Sequence, residues 1–315
     1  MPLRRISVGS WQDTIVCILA HNEQKHIAST IKSIIEGNRE IDFKVIVYAN
    51  GCTDNTIKIV KSFLSTYSNL RLRELDRASK SHAWNTAFYE NKESILVFSD
   101  GDVEPEPGSI ATLLNCFKID SEITLASCQF WPRKNRLLLE QRLTGFMQIP
   151  LVQDFLTGCF YGVERKKLET EFNRHNLPGI PDGIVGEDYF LSVLLPGENF
   201  TVIKKKCYYE PPVFNDYQKY LARIRWQEEQ IAYVCKKRLA SSVEKQKKLI
   251  DIINKKITYY QGPVRLLIGF MSATMRYAFI FFYRKKIYQY YQALGPVVYQ
   301  GESILSSATR SSSAK

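Results

Sequence analysis

Four short β-rich runs recur at nearly even spacing through the first hundred residues: Thr14–Ala20, Phe43–Ala49, Leu70–Leu75 and Ser94–Ser99. Between them the hydrophobic period changes from that of a strand to that of a helix. Ile27, Ile31, Ile34 and Ile35 share one helical face, with Gly37 as the stop. Ile57, Val60, Leu64 and Tyr67 form a second stripe, opened by Asp54 as a cap. Alternating strands and helices predict an α/β fold: a mostly parallel sheet with helices on both faces. Such sheets bind ligands beyond the carboxyl ends of their strands, so the residues after each strand are the ones that carry function.

Those residues are polar. The first strand ends in Ala20-His21-Asn22-Glu23, the second in Asn50-Gly51-Cys52-Thr53-Asp54, and the fourth in Asp100-Gly101-Asp102. The middle of the chain is less regular. Ile123–Phe130 predicts a strand, Arg136–Ile149 an amphipathic helix, and Phe155–Val163 a short glycine-containing segment. His175–Gly186 holds two prolines and three glycines and predicts a mobile loop. A helix opens at Glu187 and stops near Pro196-Gly197, and a long helical pattern runs from about Asp216 to Val234. Residues 1–230 are therefore assigned to a catalytic domain. Residues 231–315 are assigned to a basic, partly apolar helical extension ending in a frayed tail at Ser303–Lys315.

Charge sharpens that division. The 315 residues carry a formal net charge of +11. Residues 231–315 hold fifteen Lys or Arg against three acids, so the first three-quarters is close to neutral. A basic segment beside a neutral body points to a polyanionic neighbour. An anionic membrane surface is preferred to nucleic acid, because no nucleic-acid recognition motif accompanies the charge. The apolar stretch Val264–Tyr283 contains Arg265 and Arg276 and ends in Arg284-Lys285-Lys286. A central arginine costs roughly 2.5–3.5 kcal/mol on insertion, so a spanning helix is not chosen. Two readings stand side by side: a helix lying in the membrane interface, and a helical pair packed on the catalytic domain.

The seven cysteines are scattered without CxxC spacing and the four histidines do not join them, so neither a zinc site nor a disulfide framework is expected. A reducing cytosol is the expected compartment, with the protein peripheral on the cytoplasmic face of a membrane. The run Ile15–Ala20 is too short for a signal-peptide core.

Two carboxylates flanking a glycine directly after a buried strand, as in Asp100-Gly101-Asp102, suit a hard divalent cation facing a diphosphate. The glycine is expected to supply a sharp backbone turn. Glu187 and Asp188 open a helix after a glycine-rich loop. Acids there match the helix dipole, and Asp188 is also placed to act as a base.

In order along the chain, Ile18-Leu19-Ala20-His21-Asn22-Glu23, Asn50-Gly51-Cys52-Thr53-Asp54, Lys80-Ser81-His82-Ala83-Trp84-Asn85, Asp100-Gly101-Asp102 and Gly186-Glu187-Asp188 resemble the family 2 inverting glycosyltransferases. The match covers roughly residues 14–230 and implies a Rossmann-like GT-A fold. It also implies roles. Ala20, His21, Asn22 and Glu23 would contact the nucleoside, with Glu23 near the ribose and Asn50 by the base. Lys80 and Asn85 would line the donor pocket. Asp102 would ligate Mn2+ or Mg2+, with Asp100 and Gly101 nearer the sugar or ribose, and Asp188 would be the catalytic base. Gly158, Cys159 and Glu187 fall at the acceptor side. Arg225-Trp226 resembles the end of a QxxRW element, whose arginine holds the donor diphosphate and whose tryptophan borders the acceptor. An ordinary amphipathic helix explains the pair equally.

The chain also departs from the family pattern. Ala222 stands at the glutamine position of that element, Ala49-Asn50 replaces a pair of acids, and His21 replaces a common tyrosine. The implied reaction is inverting transfer from a nucleotide-diphosphate sugar, with a UDP-sugar favoured, to a hydroxyl of a lipid-linked or glycan acceptor. The non-enzyme alternative is a degenerate nucleotide-sugar-binding or membrane scaffold module. A sugar-phosphate nucleotidyltransferase is disfavoured, since no GxGTR-like loop follows the first strand.

Overall fold

The central strand β1 (Thr14–Ala20) is buried along its whole length and feeds two cores at once. Ile15, Cys17 and Leu19 face one hydrophobic cluster, whereas Val16, Ile18 and Ala20 face another. Burial on both faces explains why this strand is a continuous apolar run rather than an alternating one. The computed structural model describes residues 13–133, 137–148, 158–195, 199–238 and 263–294.

Strands β2 (Lys44–Asn50), β3 (Leu70–Leu75), β4 (Ile95–Asp100), β5 (Val103–Pro105), β6 (Leu125–Pro132), β7 (Phe160–Glu164) and β8 (Phe200–Tyr209) complete one sheet in the order β3-β2-β1-β4-β7-β6-β8-β5. The first four in that order are mutually parallel. Their carboxyl ends therefore share one rim. The second half is mixed, because β7 runs antiparallel to both β4 and β6.

Helices α1 (Ile27–Glu36), α2 (Thr56–Phe63) and α4 (Ser109–Ile119) send Ile27, Ile31, Ile34, Val60, Ile110 and Leu113 into one core. On the other face, α3 (Lys80–Glu90), α6 (Arg165–Arg174) and α7 (Glu187–Leu194) contribute Trp84, Phe88, Leu168, Phe172, Phe190 and Leu191. Trp84 lies at the centre of that layer. It stacks on Phe98 of β4 at 4.7 Å between ring centroids, and its indole N–H donates to the Tyr161 hydroxyl at 2.8 Å. A buried tryptophan keeps its polar edge satisfied in this way, and the contact fixes α3 beneath the strand that ends in Asp100.

The predicted helix Arg136–Ile149 is observed as α5 (Leu139–Met147), and its first and last residues lie outside the described ranges. Of the segment Phe155–Val163, residues 155–157 also lie outside them. The long helix α8 (Phe214–Arg238) is continuous across residue 230, and α9 (Pro263–Ala293) packs along it through Phe279 against Phe214 and Tyr217. The tail Ser303–Lys315 is outside the described residues.

Candidate active site at the shared rim of the parallel strands

Pairing of β1 with both neighbours sets Ala20 beside Ala49 and Leu19 beside Asp100, so three strand-end loops open together. The loops after β1 and β2 are laced by their own side chains. Asn22 adopts a left-handed backbone, φ 57°, which asparagine tolerates better than most residues. Its Oδ1 accepts from the Thr53 amide at 2.8 Å and the Asp54 amide at 3.3 Å. The Glu23 amide donates to Thr56 Oγ1 at 2.7 Å, and the Gln24 amide to Asp54 at 3.1 Å. Burial opposes the charge on Asp54, but hydrogen bonds from Thr56 and Gln24 overcome it and hold that carboxyl below its ordinary value. Helix α2 thus starts at Thr56, one residue after its cap Asn55, with Asp54 bonding the Thr56 amide from outside.

The residues assigned to the nucleoside divide by burial. His21 and Asn22 are exposed, and the His21 ring meets the Asn50 carbonyl at 2.7 Å through Nδ1. Asn50 itself is buried, with its amide turned inward to donate to the Ala20 carbonyl at 2.9 Å. That bond ties β1 to β2.

Beside these loops the carboxylates crowd. Burial first, then repulsion from Asp102, Asp100 and Asp54, pushes Glu23 up to about 8. Gly101 suits this crowding: a Cβ there would stand 3.0 Å from Glu23 Cγ and 3.1 Å from Ala20 Cβ, so its neighbours would have to give way. Residues 101–102 form the expected turn, and because the Gly101 backbone is not left-handed, close approach of its neighbours is the reason for a glycine there. The Asp100 amide donates to the Cys159 carbonyl at 3.0 Å, which joins the end of β4 to the start of β7.

Lys80, at the first turn of α3, links the two acidic motifs. Its Nζ lies 2.6 Å from Asp100 Oδ1 and 2.7 Å from Glu187 Oε1. Burial opposes the charge on this lysine, but Asp100, Glu187 and Asp188 outweigh it and hold the ammonium well above the ordinary lysine range. Glu187 is 2% exposed, and burial raises its pKa against the pull of Lys80. Asp100 is also raised by burial, with Lys80 opposing and Glu187 and Asp102 adding to the rise. Lys80 thus acts on Asp100, Glu187, Asp188 and Glu23, and Asp102 adds its charge beside Asp100 and Glu23.

The excess of negative charge around Glu23, Asp100 and Asp102 is the chemistry a hard cation relieves, and the oxygen-only donor set fits Mn2+ or Mg2+. Among the described residues no group of three or more His, Cys, Asp or Glu side chains is arranged to hold a metal by protein ligands alone.

Asp188 sits against the start of β7. Its Oδ2 accepts from the Gly158 amide at 3.0 Å, and a Cβ on Gly158 would meet Asp188 Cβ, Cγ and Oδ2 at 2.9 Å. The preceding loop, expected to be mobile, is tied down at several points. Both amide atoms of Asn85 pair with the Ile180 backbone, at 2.7 and 2.9 Å, which anchors the loop to α3. The Gly183 amide donates to Ser81, and Arg77 pairs with Asp182 at 2.6 Å. From α8, buried Gln230 accepts from the Val185 amide at 3.0 Å and donates to the Gly183 carbonyl at 2.6 Å. Gly186 has φ 119°, and an added Cβ would collide with Gln227.

Sequence reasoning missed Gln227, Gln230 and Ser81. The glutamines share the α8 segment with the Arg225-Trp226 motif but match no motif position themselves. Arg225 turns instead toward α9: it is exposed, pairs with Glu229 at 3.3 Å and lies 5.0 Å from the Tyr291 ring. Trp226, next to it, is half-buried.

The sequence profile of Glycosyl transferase family 2 matches residues 15–171, which include the three strand-end loops, Lys80, the paired aspartates and Gly158-Cys159. Two curated relatives align over shorter stretches. One is an uncharacterized glycosyltransferase, YfnE, of Bacillus subtilis, 23% identical over 38% of this chain. The other is the glycosyltransferase AglE of Haloferax volcanii, 30% identical over 29% of it. The matched segments span about 30% of each relative's length. Among solved structures, the mannosyltransferase PcManGT of Pyrobaculum calidifontis, in complex with GDP-Man and Mn2+, superposes with a TM-score of 0.54 at 17% identity. That alignment covers 96% of this chain and 81% of the other, and it shows a common fold. Through residues 15–171 and the GT-A architecture built on them, the chain belongs to glycosyl transferase family 2.

Proposed function

We propose that the protein transfers a sugar, with inversion, from a nucleotide-diphosphate sugar to a hydroxyl of a lipid-linked or glycan acceptor. The observation that carries this reading is the Lys80 bridge, which draws the paired aspartates of the strand rim and the Glu187-Asp188 pair into one cluster. A donor-side carboxylate group and an acceptor-side base are what a single displacement at an anomeric carbon requires on opposite sides of the reacting bond.

In this mechanism Asp188 takes the proton of the acceptor hydroxyl. The Gly158 amide holds its Oδ2 in place, which leaves Oδ1 to receive that proton. The acceptor oxygen forms a bond to the anomeric carbon as the bond to the diphosphate oxygen breaks, and the electron pair departs with the diphosphate. Asp102 and Asp100 would hold Mn2+ or Mg2+, which when bound supplies positive charge to the leaving diphosphate. Lys80, bonded to Asp100 and to Glu187, links the donor-side aspartates to the start of the helix that carries the base. Gln230, Ser81 and Asn85 hold the loop before Asp188 in a fixed arrangement, so little of the barrier goes to ordering it.

The exposed His21 and Asn22 line the nucleoside side, and a UDP-sugar is the favoured donor. PcManGT was solved with GDP-Man, so both bases belong in the test. Purified protein is assayed for nucleotide release across UDP- and GDP-sugars, with Mn2+, Mg2+ or EDTA, and with Asp188→Asn as the control. Divalent-dependent release that the variant lacks supports the reading. No release with any donor, together with no thermal stabilisation by UDP or GDP plus Mn2+, overturns it.

A further inference from the structure

Helix α9 has two unlike faces. Its inner face packs on α8: Phe279 and Ile287 are buried, and Phe279 meets Tyr217 at 5.2 Å between ring centroids. Tyr290 donates to Asn215 at 2.8 Å, and Tyr291 lies under Arg225. Its outer face repeats large apolar residues at helical spacing: Leu267, Phe270, Met271, Tyr277, Phe281 and Tyr288, joined by Phe282 at the edge. All are exposed, Phe270 at 67%, Tyr277 at 69% and Phe282 at 79%. A helix of this length extends about 46 Å, and soluble monomers rarely expose an apolar stripe so long.

Charge says what covers it. No acidic residue occurs between positions 263 and 294, while Arg265, Arg276, Arg284, Lys285 and Lys286 do. The last three form an exposed cluster at one end of the stripe, with the Arg284 guanidinium 4.7 Å from the Phe281 ring. A second copy of α9 is a poor partner. Side by side in parallel, the two clusters would face each other, and in the opposite sense each would face a stretch of α9 that holds no acid. In neither arrangement does an acid answer the bases. Arg276 is half-buried on the α8 side, beside Tyr217 and Tyr220, whereas a surface of anionic headgroups answers the exposed Arg284-Lys285-Lys286 cluster, and aromatic rings beside bases suit the boundary between headgroups and acyl chains. No helix among the described residues is long and apolar enough to cross a bilayer.

We propose that the outer face of α9 is a docking surface for a bilayer carrying anionic lipid. The helix lies along the plane of the membrane, with Phe270, Tyr277, Phe281 and Phe282 at the acyl boundary and Arg284, Lys285 and Lys286 on the headgroups. This surface does not depend on the sugar-transfer reading. The full-length protein is sedimented with vesicles of phosphatidylcholine alone or with phosphatidylglycerol added, at low and high salt. Binding to the phosphatidylglycerol vesicles is expected to exceed binding to the neutral ones. It should weaken at high salt and fall on the order of tenfold or more in K285E/K286E.

A second arm reads depth: in Tyr277→Trp, the introduced fluorescence should be quenched by brominated acyl chains, a positive signal that misfolding does not imitate unless binding becomes indifferent to headgroup charge. Equal binding to both vesicle types, or none to either, overturns the proposal. So does a concentration-dependent dimer that F281S/F282S abolishes while vesicles fail to bind, because a second copy would then be the occupant.

Discussion

Lys80 Nζ stands 2.7 Å from Glu187 Oε1, and the carboxylate it meets is almost wholly buried. Their sequence positions are more than a hundred residues apart, yet this contact joins the amino end of α3 to the amino end of α7. Removing one partner of a buried pair leaves the other charge without compensation, at a cost of about 3–5 kcal/mol. Lys80 is itself 38% exposed, so solvent screening reduces the expected loss for Lys80→Met to roughly 2 kcal/mol. Glu187→Gln removes the more deeply buried of the two stranded charges, Asp100 being the other, and Lys80→Met/Glu187→Gln should recover part of that loss. Urea unfolding of the four proteins in a double-mutant cycle measures the coupling, and additive losses would refute it.

Much of the rim was legible in the sequence, because each piece is local. A run such as Ile95-Leu96-Val97-Phe98 declares a buried strand, and the acids after it mark the edge where ligands bind. The Lys80–Glu187 contact left no such trace, since nothing in the spacing of a lysine and a glutamate across several elements marks them as neighbours. The bonds that Asn50 and Asn85 make to neighbouring backbone were not legible either: an amide that faces a ligand and one that pins a backbone look alike in sequence. Gln230 was invisible for a related reason. Its two bonds to the Gly183–Val185 backbone depend on where α8 crosses the loop, which is decided by packing rather than by local pattern. Arg225 shows the converse: its motif position suggested the donor, and packing of α9 on α8 gave it Glu229 and Tyr291 instead.

Glu23 makes the ligand-free protein sensitive to pH in a direction opposite to that of an ordinary paired carboxylate. Folding raises its pKa from 4.5 to about 8, through burial and then repulsion from Asp102, Asp100 and Asp54. Between those values the folded state holds a proton that the unfolded chain has lost, so stability falls as pH climbs through that window. Melting temperatures taken in EDTA from pH 5 to 8.5 should decline more steeply for the native chain than for Glu23→Gln. Parallel curves would remove Glu23 as the cause.

The Gly183–Gly186 loop should be loosened from α8 without touching the carboxylates. In Gln230→Leu the Val185 amide and the Gly183 carbonyl lose the partners seen here; Gly183 is exposed and Val185 half-buried, so water replaces part of the loss and the cost lies near the low end of about 1–3 kcal/mol. Hydrogen exchange at Val185 should accelerate, while exchange along β1 and β4 stays slow. Unchanged protection at Val185 would mean that other contacts, such as Ser81 to Gly183 and Arg77 to Asp182, suffice to hold the loop.

Gly158 and Asp188 permit a test of the proposed base that keeps the carboxylate in the chain. An alanine methyl at 158 would lie 2.9 Å from Asp188 Oδ2, too close to be accommodated, so Gly158→Ala must push the carboxylate off the amide that positions it. Asp188→Asn instead leaves the side chain nearly the same size and removes its ability to take a proton. General-base catalysis contributes about 10²–10⁴-fold, and Asp188→Asn should lose turnover on that scale with the KM for the donor little altered. Gly158→Ala should lose less, and its thermal stabilisation by nucleotide diphosphate and Mn2+ should persist, because the donor-side carboxylates Asp100 and Asp102 are not displaced. Steady-state kinetics beside thermal shift separates the two effects. A Gly158→Ala protein with native turnover would show that the Gly158 amide does not position the base.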